Sequence, residues 1–383
     1  MYRNLHQFLS HPDSRVLGLS YTFLSILYGT LFARFPEWLD VIQVNKAEFG
    51  LALLSMSIGA LLFTPITTWI INRFQTGPAT FWGMILMCPC FVAPVLAPNF
   101  YSLLVATFLL GMTHAWVNVT VNAAASQVEK RDKRQILSTC HAMFSIGGVL
   151  GSVSAGFLAS AGLSIGWHLG ILSCLLLLAS CYIRPLFLGL PHAAPEQSRR
   201  RQWPSSGVLR LSYISFFIVM TEVAIMDWST VYLQYDLKSS PMVKGLGFAG
   251  YSFAMALGRL YGDGLVTRLG SRKLVFYGVL IGIFGLVIAA FLPSIGAAIA
   301  GFTLVGLGFS CTVPSLYSAS ARVAKDNPAL GVTAIATAGI IGIIIGRPML
   351  GYIAEYWGMT TGFALLALLC LLAVGLSRKA NFG

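Results

Sequence analysis

Charge is scarce in this chain of 383 residues: Asp, Glu, Lys and Arg together make up 10% of it, and acids number 13. Soluble domains use about 25% charged residues, so a water-exposed globular surface cannot be covered from this supply. Sequence signals for ATP-driven, metal-assisted and His–Asp acyl-transfer chemistry are also missing. There is no Gly-x-x-x-x-Gly-Lys-Ser/Thr loop, so ATP is not the energy source within this chain. No His-Glu-x-x-His occurs, and no His is followed five residues later by Asp. The chain is therefore expected not to be an enzyme and to carry no cofactor or metal. The seven cysteines, Cys88, Cys90, Cys140, Cys174, Cys181, Cys311 and Cys370, all lie in apolar runs and read as small core fillers.

What fills the chain instead is apolar: 56% hydrophobic residues and a mean hydropathy of +0.77. A helix needs about 20 apolar residues to cross a bilayer. Twelve runs meet that length, at 16–36, 47–71, 77–97, 100–127, 135–161, 165–185, 208–233, 243–267, 273–292, 296–321, 329–355 and 359–377. No small-residue cleavage site follows the first, so no removable signal peptide is expected. Of the 25 Lys and Arg, nineteen fall in the segments on the side of the N-terminus and only Arg34, Lys46, Lys238 and Lys244 fall in the opposite ones. The positive-inside rule then places both termini in the cytoplasm. The net charge of +12 is spread over many helix ends facing anionic headgroups, so it implies a lipid bilayer rather than a nucleic acid as partner. The polar stretch 186–207, with Pro191, Pro195, Arg199 to Arg201 and Pro204, divides the chain at its midpoint. The expected fold is an all-α membrane protein of two six-helix bundles, 1–185 and 208–383, joined by a cytoplasmic linker. Two such halves suit alternating access around a midplane site.

The clearest motif is Gly258-Arg259-Leu260-Tyr261-Gly262-Asp263, continuing to Arg268-Leu269-Gly270-Ser271-Arg272-Lys273. Glycines allow close helix approach, and Arg259, Asp263, Arg268 and Arg272 supply charge at the helix ends. Here the chain resembles the major facilitator superfamily, whose signature loop has this form. The resemblance implies a conformational latch of Gly258, Arg259, Gly262, Asp263, Arg268 and Arg272. The corresponding stretch after the second run, Asn72-Arg73-Phe74-Gln75, keeps one arginine and no preceding acid. Three further stretches are similar to the fucose-permease-like bacterial inner-membrane branch: Asn118-Val119-Thr120-Val121-Asn122, His141 through Gly148, and Glu222 through Ser229. That branch often has Asp where this chain has Asn118. The proline of the drug-antiporter branch is absent from Gly147-Gly148-Val149-Leu150-Gly151, and Thr107 stands near an arginine common in proton-coupled relatives.

Ionisable groups inside a bilayer are functional candidates by default. Asp227 and Arg347 fall at one depth, counted at about 1.5 Å per residue from the cytoplasmic ends, and can pair as a structural or gating couple. Glu222 lies about one turn deeper and roughly 140° around the helix, so it is assigned a separate task. Desolvation disfavours a charged carboxyl, which suits Glu222 to carry a coupling proton, with Asp227 and His141 as further titratable candidates; hydrogen bonding between helices is the alternative for Glu222. His114, Asn118 and Asn122 recur every four residues and form one polar stripe, read as lining for a polar, sugar-like solute or as helix-to-helix bonding. Trp228 and Arg347 complete the expected solute contacts. Tyr21, Tyr28, Trp116, Phe253 and Tyr317 are further aromatics in spans near a cavity, and Pro314 and Gly346-Arg347-Pro348 can bend or interrupt their helices. The expected function is a monomeric, proton-coupled secondary transporter of a small polar solute in the bacterial inner membrane. An exporter of amphipathic compounds and a non-transporting receptor on the same fold are the alternatives.

Overall fold

The structure, a computed structural model, describes residues 8, 10–134, 136–191 and 203–382; the side chains of Ser138, Asp263 and Lys379 lie outside the described set. The middle of the 186–207 stretch therefore also lies outside it.

Apolar runs of this length in a chain without competing turn chemistry fold as helices, and the long ones follow in order. They are α1 (Pro12–Ala33), α2 (Lys46–Phe74), α3 (Thr76–Val92), α4 (Phe100–Asp132), α5 (Leu137–Ser160) and α6 (Ile165–Tyr182). After the central stretch come α7 (Ser206–Val231), α8 (Leu246–Leu269), α9 (Ser271–Phe291), α10 (Ile295–Phe309 and Thr312–Val323), α11 (Pro328–Tyr356) and α12 (Met359–Lys379). Eleven of them are long and apolar enough to cross a membrane. The other, α8, has 24 residues and spanning length, but holds Arg259, Asp263 and Arg268 in its second half.

Helix starts follow capping rules. Asn99 and Ser102 form a capping box at α4, and the side chains of Ser164, Ser205 and Ser294 accept from the first turns of α6, α7 and α10. Gly162-Leu163-Ser164-Ile165-Gly166 has the spacing of a hydrolase nucleophile turn, yet Ser164 is spent as that α6 cap.

Prolines account for two departures from the expected spans. The first span stops at Ala33 and a separate helix, Phe35–Ile42, begins beyond Arg34, because Pro36 has no N–H to offer the Phe32 carbonyl one turn back and its ring crowds that carbonyl. The tenth is broken at Ser310–Cys311, where Pro314 has no N–H to offer the Ser310 carbonyl. Pro348, by contrast, sits inside an unbroken α11, so of the expected bend or interruption there, the interruption is not present.

Two compact units result: residues 1–44 with 51–198, and residues 45–50 with 199–383. In the first, α1 packs along α5 and α3 along α4. Glycines make the α1–α5 seam: a Cβ on Gly29 would meet the Gly148 carbonyl, and one on Gly147 would stand 2.6 Å from the Thr22 carbonyl. The second unit repeats the plan, α7 against α11 and α9 against α10, with a Cβ on Gly346 falling 2.6 Å from Met220 Cγ.

Candidate functional site

In the first unit the expected stripe on α4 meets α1 and α5. His114, Asn118 and Asn122 are each half-buried. The Asn122 amide donates to the Asn118 carbonyl at 2.8 Å and to its side-chain oxygen at 2.9 Å. Its own oxygen accepts from the Tyr21 hydroxyl of α1 at 2.8 Å. Tyr21 is 2% exposed, and its ring stands edge-on to His141 of α5 at 5.3 Å. One turn-pair along α1, Tyr28 stands edge-on to His114 at 4.9 Å and to Phe91 at 4.8 Å. Three helices thus bring hydroxyl, amide and imidazole groups and ring faces into one row. Trp116, two residues from either neighbour in the stripe, points the other way and donates to the Ala79 carbonyl of α3 at 2.9 Å; it packs helices.

The second unit holds Glu222, Asp227 and Arg347. Asp227, fully buried, accepts from Arg347 Nε at 2.8 Å and from Nη2 at 3.4 Å. A two-point guanidinium–carboxylate bond is the arrangement by which a low-dielectric interior tolerates both ions. Trp228 is fully buried against Phe49, its ring edge-on at 5.5 Å, both within the second unit. It presents no surface to a solute in this arrangement. Glu222 faces away from the pair and is half-buried. The groups within its electrostatic reach are Arg259 and Tyr251 on α8 and Tyr317 on α10. The two acids of α7 are therefore not brought together.

The Gly258–Arg272 motif separates into parts. A Cβ at Gly258 would collide with Ser310, and one at Gly262 would lie 2.7 Å from Cys311 Sγ. The Cys311 thiol donates to the Gly258 carbonyl at 3.2 Å. These contacts seat α8 on the break in α10. Arg259 lies within electrostatic reach of Glu222, Arg272 donates to the Arg378 carbonyl of α12, and Arg268 is exposed. The Asp263 side chain lies outside the described set, so the acid at the centre of the expected latch has no described geometry.

Several groups were misread or missed in the sequence. Arg34, counted there as a loop charge, is 2% exposed. It donates to both Glu37 oxygens at 2.8 and 2.6 Å, to the Leu163 carbonyl at 2.6 Å and to His168 Nδ1 at 3.3 Å. Lys244 is also buried and donates to Gln234 at 2.9 Å. At the other end of the first unit, Arg131 pairs with Asp13 at 2.6 Å and Asp132 at 2.7 Å. Glu129 accepts from the Ile136 and Leu137 amides that open α5. The contacts of Arg34 with Leu163 and His168, and of Arg131 with Asp13, join residues more than one hundred positions apart, which no local pattern marks.

The family model of the Major Facilitator Superfamily matches residues 17–214 and 211–379. The chain is similar to an uncharacterized MFS-type transporter of Yersinia pestis, 32% identical over 342 residues covering 88% of each chain. An uncharacterized transporter of Sinorhizobium fredii is 31% identical over 367 residues, covering 92% of this chain and 94% of the relative. Among solved structures, the nucleoside transporter NupG superposes with a TM-score of 0.75 at 14% identity, covering 95% of this chain and 99% of that one.

Proposed function

This chain belongs to the Major Facilitator Superfamily, and from that membership we propose that it is a proton-coupled carrier of a neutral, polar organic solute. The coarser statement needs no proposal: it is a multi-pass bacterial membrane protein and a secondary transporter of small molecules, not an enzyme.

The observation that carries the solute class is the Tyr21–Asn122–Asn118 chain flanked by His114 and His141. Amide, hydroxyl and imidazole groups match hydroxyls and ring nitrogens, and edge-on rings present faces on which a sugar or a heterocycle can stack. None of these groups needs a charged solute. The name of the nucleoside transporter in the comparison adds nucleosides to sugars as solutes to try. Placement in the fucose-permease-like branch rests on the motifs at Asn118–Asn122, His141–Gly148 and Glu222–Ser229.

Coupling is assigned to Glu222. It is half-buried, within electrostatic reach of Arg259, Tyr251 and Tyr317, and stands outside the ion pair that engages Asp227. Asp227 and Arg347 hold α7 to α11 on another face of the helix, and the Gly258–Gly262 seat on α10 is the packing half of a latch. The protein is taken as a monomer of the inner membrane with both termini cytoplasmic.

The deciding experiment is a thermal-shift panel of sugars, nucleosides, amino acids, organic acids and hydrophobic cations on the purified protein at pH 5.5 and 7.5. A hit is then carried into proteoliposomes with an imposed proton gradient. Uptake of a polar neutral solute driven by the gradient, with Glu222→Gln losing the gradient dependence, supports the reading. Stabilisation by hydrophobic cations alone, or gradient-driven uptake unchanged in Glu222→Gln, overturns it.

A further inference from the structure

Away from both polar rows, the ends of α9, α10 and α12 gather three arginines around a hollow of about 570 Å3. Its walls include Ser271, Arg272, Arg322, Arg378 and Phe382, and no acid is among the lining residues. Arg322 is held in place: Nε and Nη2 donate to the Phe382 carbonyl at 3.2 and 3.0 Å, and Nη2 donates to Ser271 Oγ at 3.2 Å. Those bonds use three of the five donors of a guanidinium. Arg272 is tied to the Arg378 carbonyl. The first turn of α9 opens at Ser271, adding backbone N–H groups that no helical carbonyl satisfies. Among the described lining residues these like charges have no counter-charge and repel one another, and an anion in the hollow relieves that repulsion.

A second hollow of about 300 Å3 adjoins the first and shares Arg272 and Arg378 with it. It differs in kind, for Phe276 and Tyr277 supply ring surface on α9. The Arg378 guanidinium lies 5.1 Å from the centre of the Phe276 ring, and Tyr277 is 52% exposed. Lys273 adds a further cation at the rim. A cationic hollow continued by an apolar groove along a membrane-spanning helix matches an amphiphile whose polar end is a phosphate. A free phosphate would fill the first hollow and leave the groove unused.

We propose that Arg272, Arg322 and Arg378 form a binding site for the phosphate headgroup of an anionic phospholipid, whose glycerol and upper acyl chain lie over Phe276 and Tyr277. The site is confined to the second unit and does not depend on the solute or on Glu222.

The test uses the full-length protein, delipidated in detergent, with phosphatidylglycerol, phosphatidylcholine and inorganic phosphate as separate additions. Binding is read by native mass spectrometry and by the melting temperature. Phosphatidylglycerol is expected to bind and stabilise, and the paired substitution Arg272→Gln with Arg378→Gln is expected to weaken it roughly thirtyfold, from two surface cations. Arg73→Gln, an exposed arginine at the end of α2, keeps wild-type binding. Should the paired variant fail to fold, Arg272→Gln alone is expected to show a smaller loss, of roughly fivefold. Equal stabilisation by inorganic phosphate would assign the site to a soluble anion and overturn the lipid. Undiminished lipid binding in the arginine variants, or an equal loss in Arg73→Gln, would overturn the site itself.

Discussion

Asp227 and Arg347 illustrate what a buried ion pair demands: each is tolerated because the other is 2.8 Å away. Removing one partner leaves an uncompensated charge, a loss of about 3–5 kcal/mol. Asp227→Ala and Arg347→Ala are each expected to lower the melting temperature sharply, while the double variant recovers part of the loss; equal or additive losses would show that the pair does not hold α7 to α11. The Tyr21 hydroxyl is a gentler case. Tyr21→Phe removes one neutral hydrogen bond to Asn122, worth about 1 kcal/mol, so the solute KM is expected to rise roughly fivefold with the fold intact. An unchanged KM would place the Tyr21–Asn122 bond outside the solute path. Individual residues such as these were readable in part. The four-residue spacing of His114, Asn118 and Asn122 announces a shared face, and matching depth announces that Asp227 and Arg347 can meet. Tyr21 as the partner of Asn122, and Tyr251 beside Glu222, depend on which helices are neighbours, and nothing local in the sequence records that.

At the scale of elements, two interhelical turns tell the history of the chain. Between α8 and α9 the amide of Gly270 donates to the Val266 carbonyl at 2.9 Å, and the Gly270 carbonyl accepts from Leu274 at 3.1 Å. Between α2 and α3 Gln75 does the same with Ile71 at 2.9 Å and Ala79 at 3.2 Å. The backbone is shared as well: φ 74, ψ 151 at Gly270 and φ 72, ψ 160 at Gln75. That region is nearly reserved to glycine and costs other residues about 1–3 kcal/mol. Gln75→Gly is therefore expected to raise the melting temperature by several degrees, and no gain would mean that the Gln75 side chain compensates for its backbone. Counted from the turn, Thr68 stands where α8 has Asp263 and Thr67 where it has Gly262, so the first copy keeps the turn after losing the acid and the glycine. The sequence shows that loss; it does not show that the turn survived it. Helix existence was legible from apolar length, whereas the breaks at Arg34 and Ser310 turn on single prolines whose effect depends on surroundings, as the unbroken Pro348 demonstrates.

For the whole molecule the strongest sequence signal is the sorting of basic residues between alternate segments. In a cysteine-free background, Lys325→Cys and Arg131→Cys are expected to resist a membrane-impermeant thiol reagent in intact cells, whereas Lys238→Cys is expected to react. The reverse pattern would invert the orientation read from charge. Division into two units was suggested by the polar stretch at the midpoint, but the assignment of residues 45–50 to the second unit has no counterpart in composition. The units also differ in the currency of their interiors. The polar row of the first is built from hydroxyl, amide and imidazole groups and its Arg34–Glu37 ion pair lies apart from that row, whereas the second carries Glu222, Asp227 and Arg347. Exchanging one neutral hydrogen-bonding side chain for another risks about 1 kcal/mol, whereas disturbing a buried ion pair risks several times that. Mutational drift along the row on α1, α4 and α5 can therefore exchange hydrogen-bonding groups at little risk to folding, while the Asp227–Arg347 pair is held still by its own electrostatics. Diversification within such a lineage should be concentrated on α1, α4 and α5.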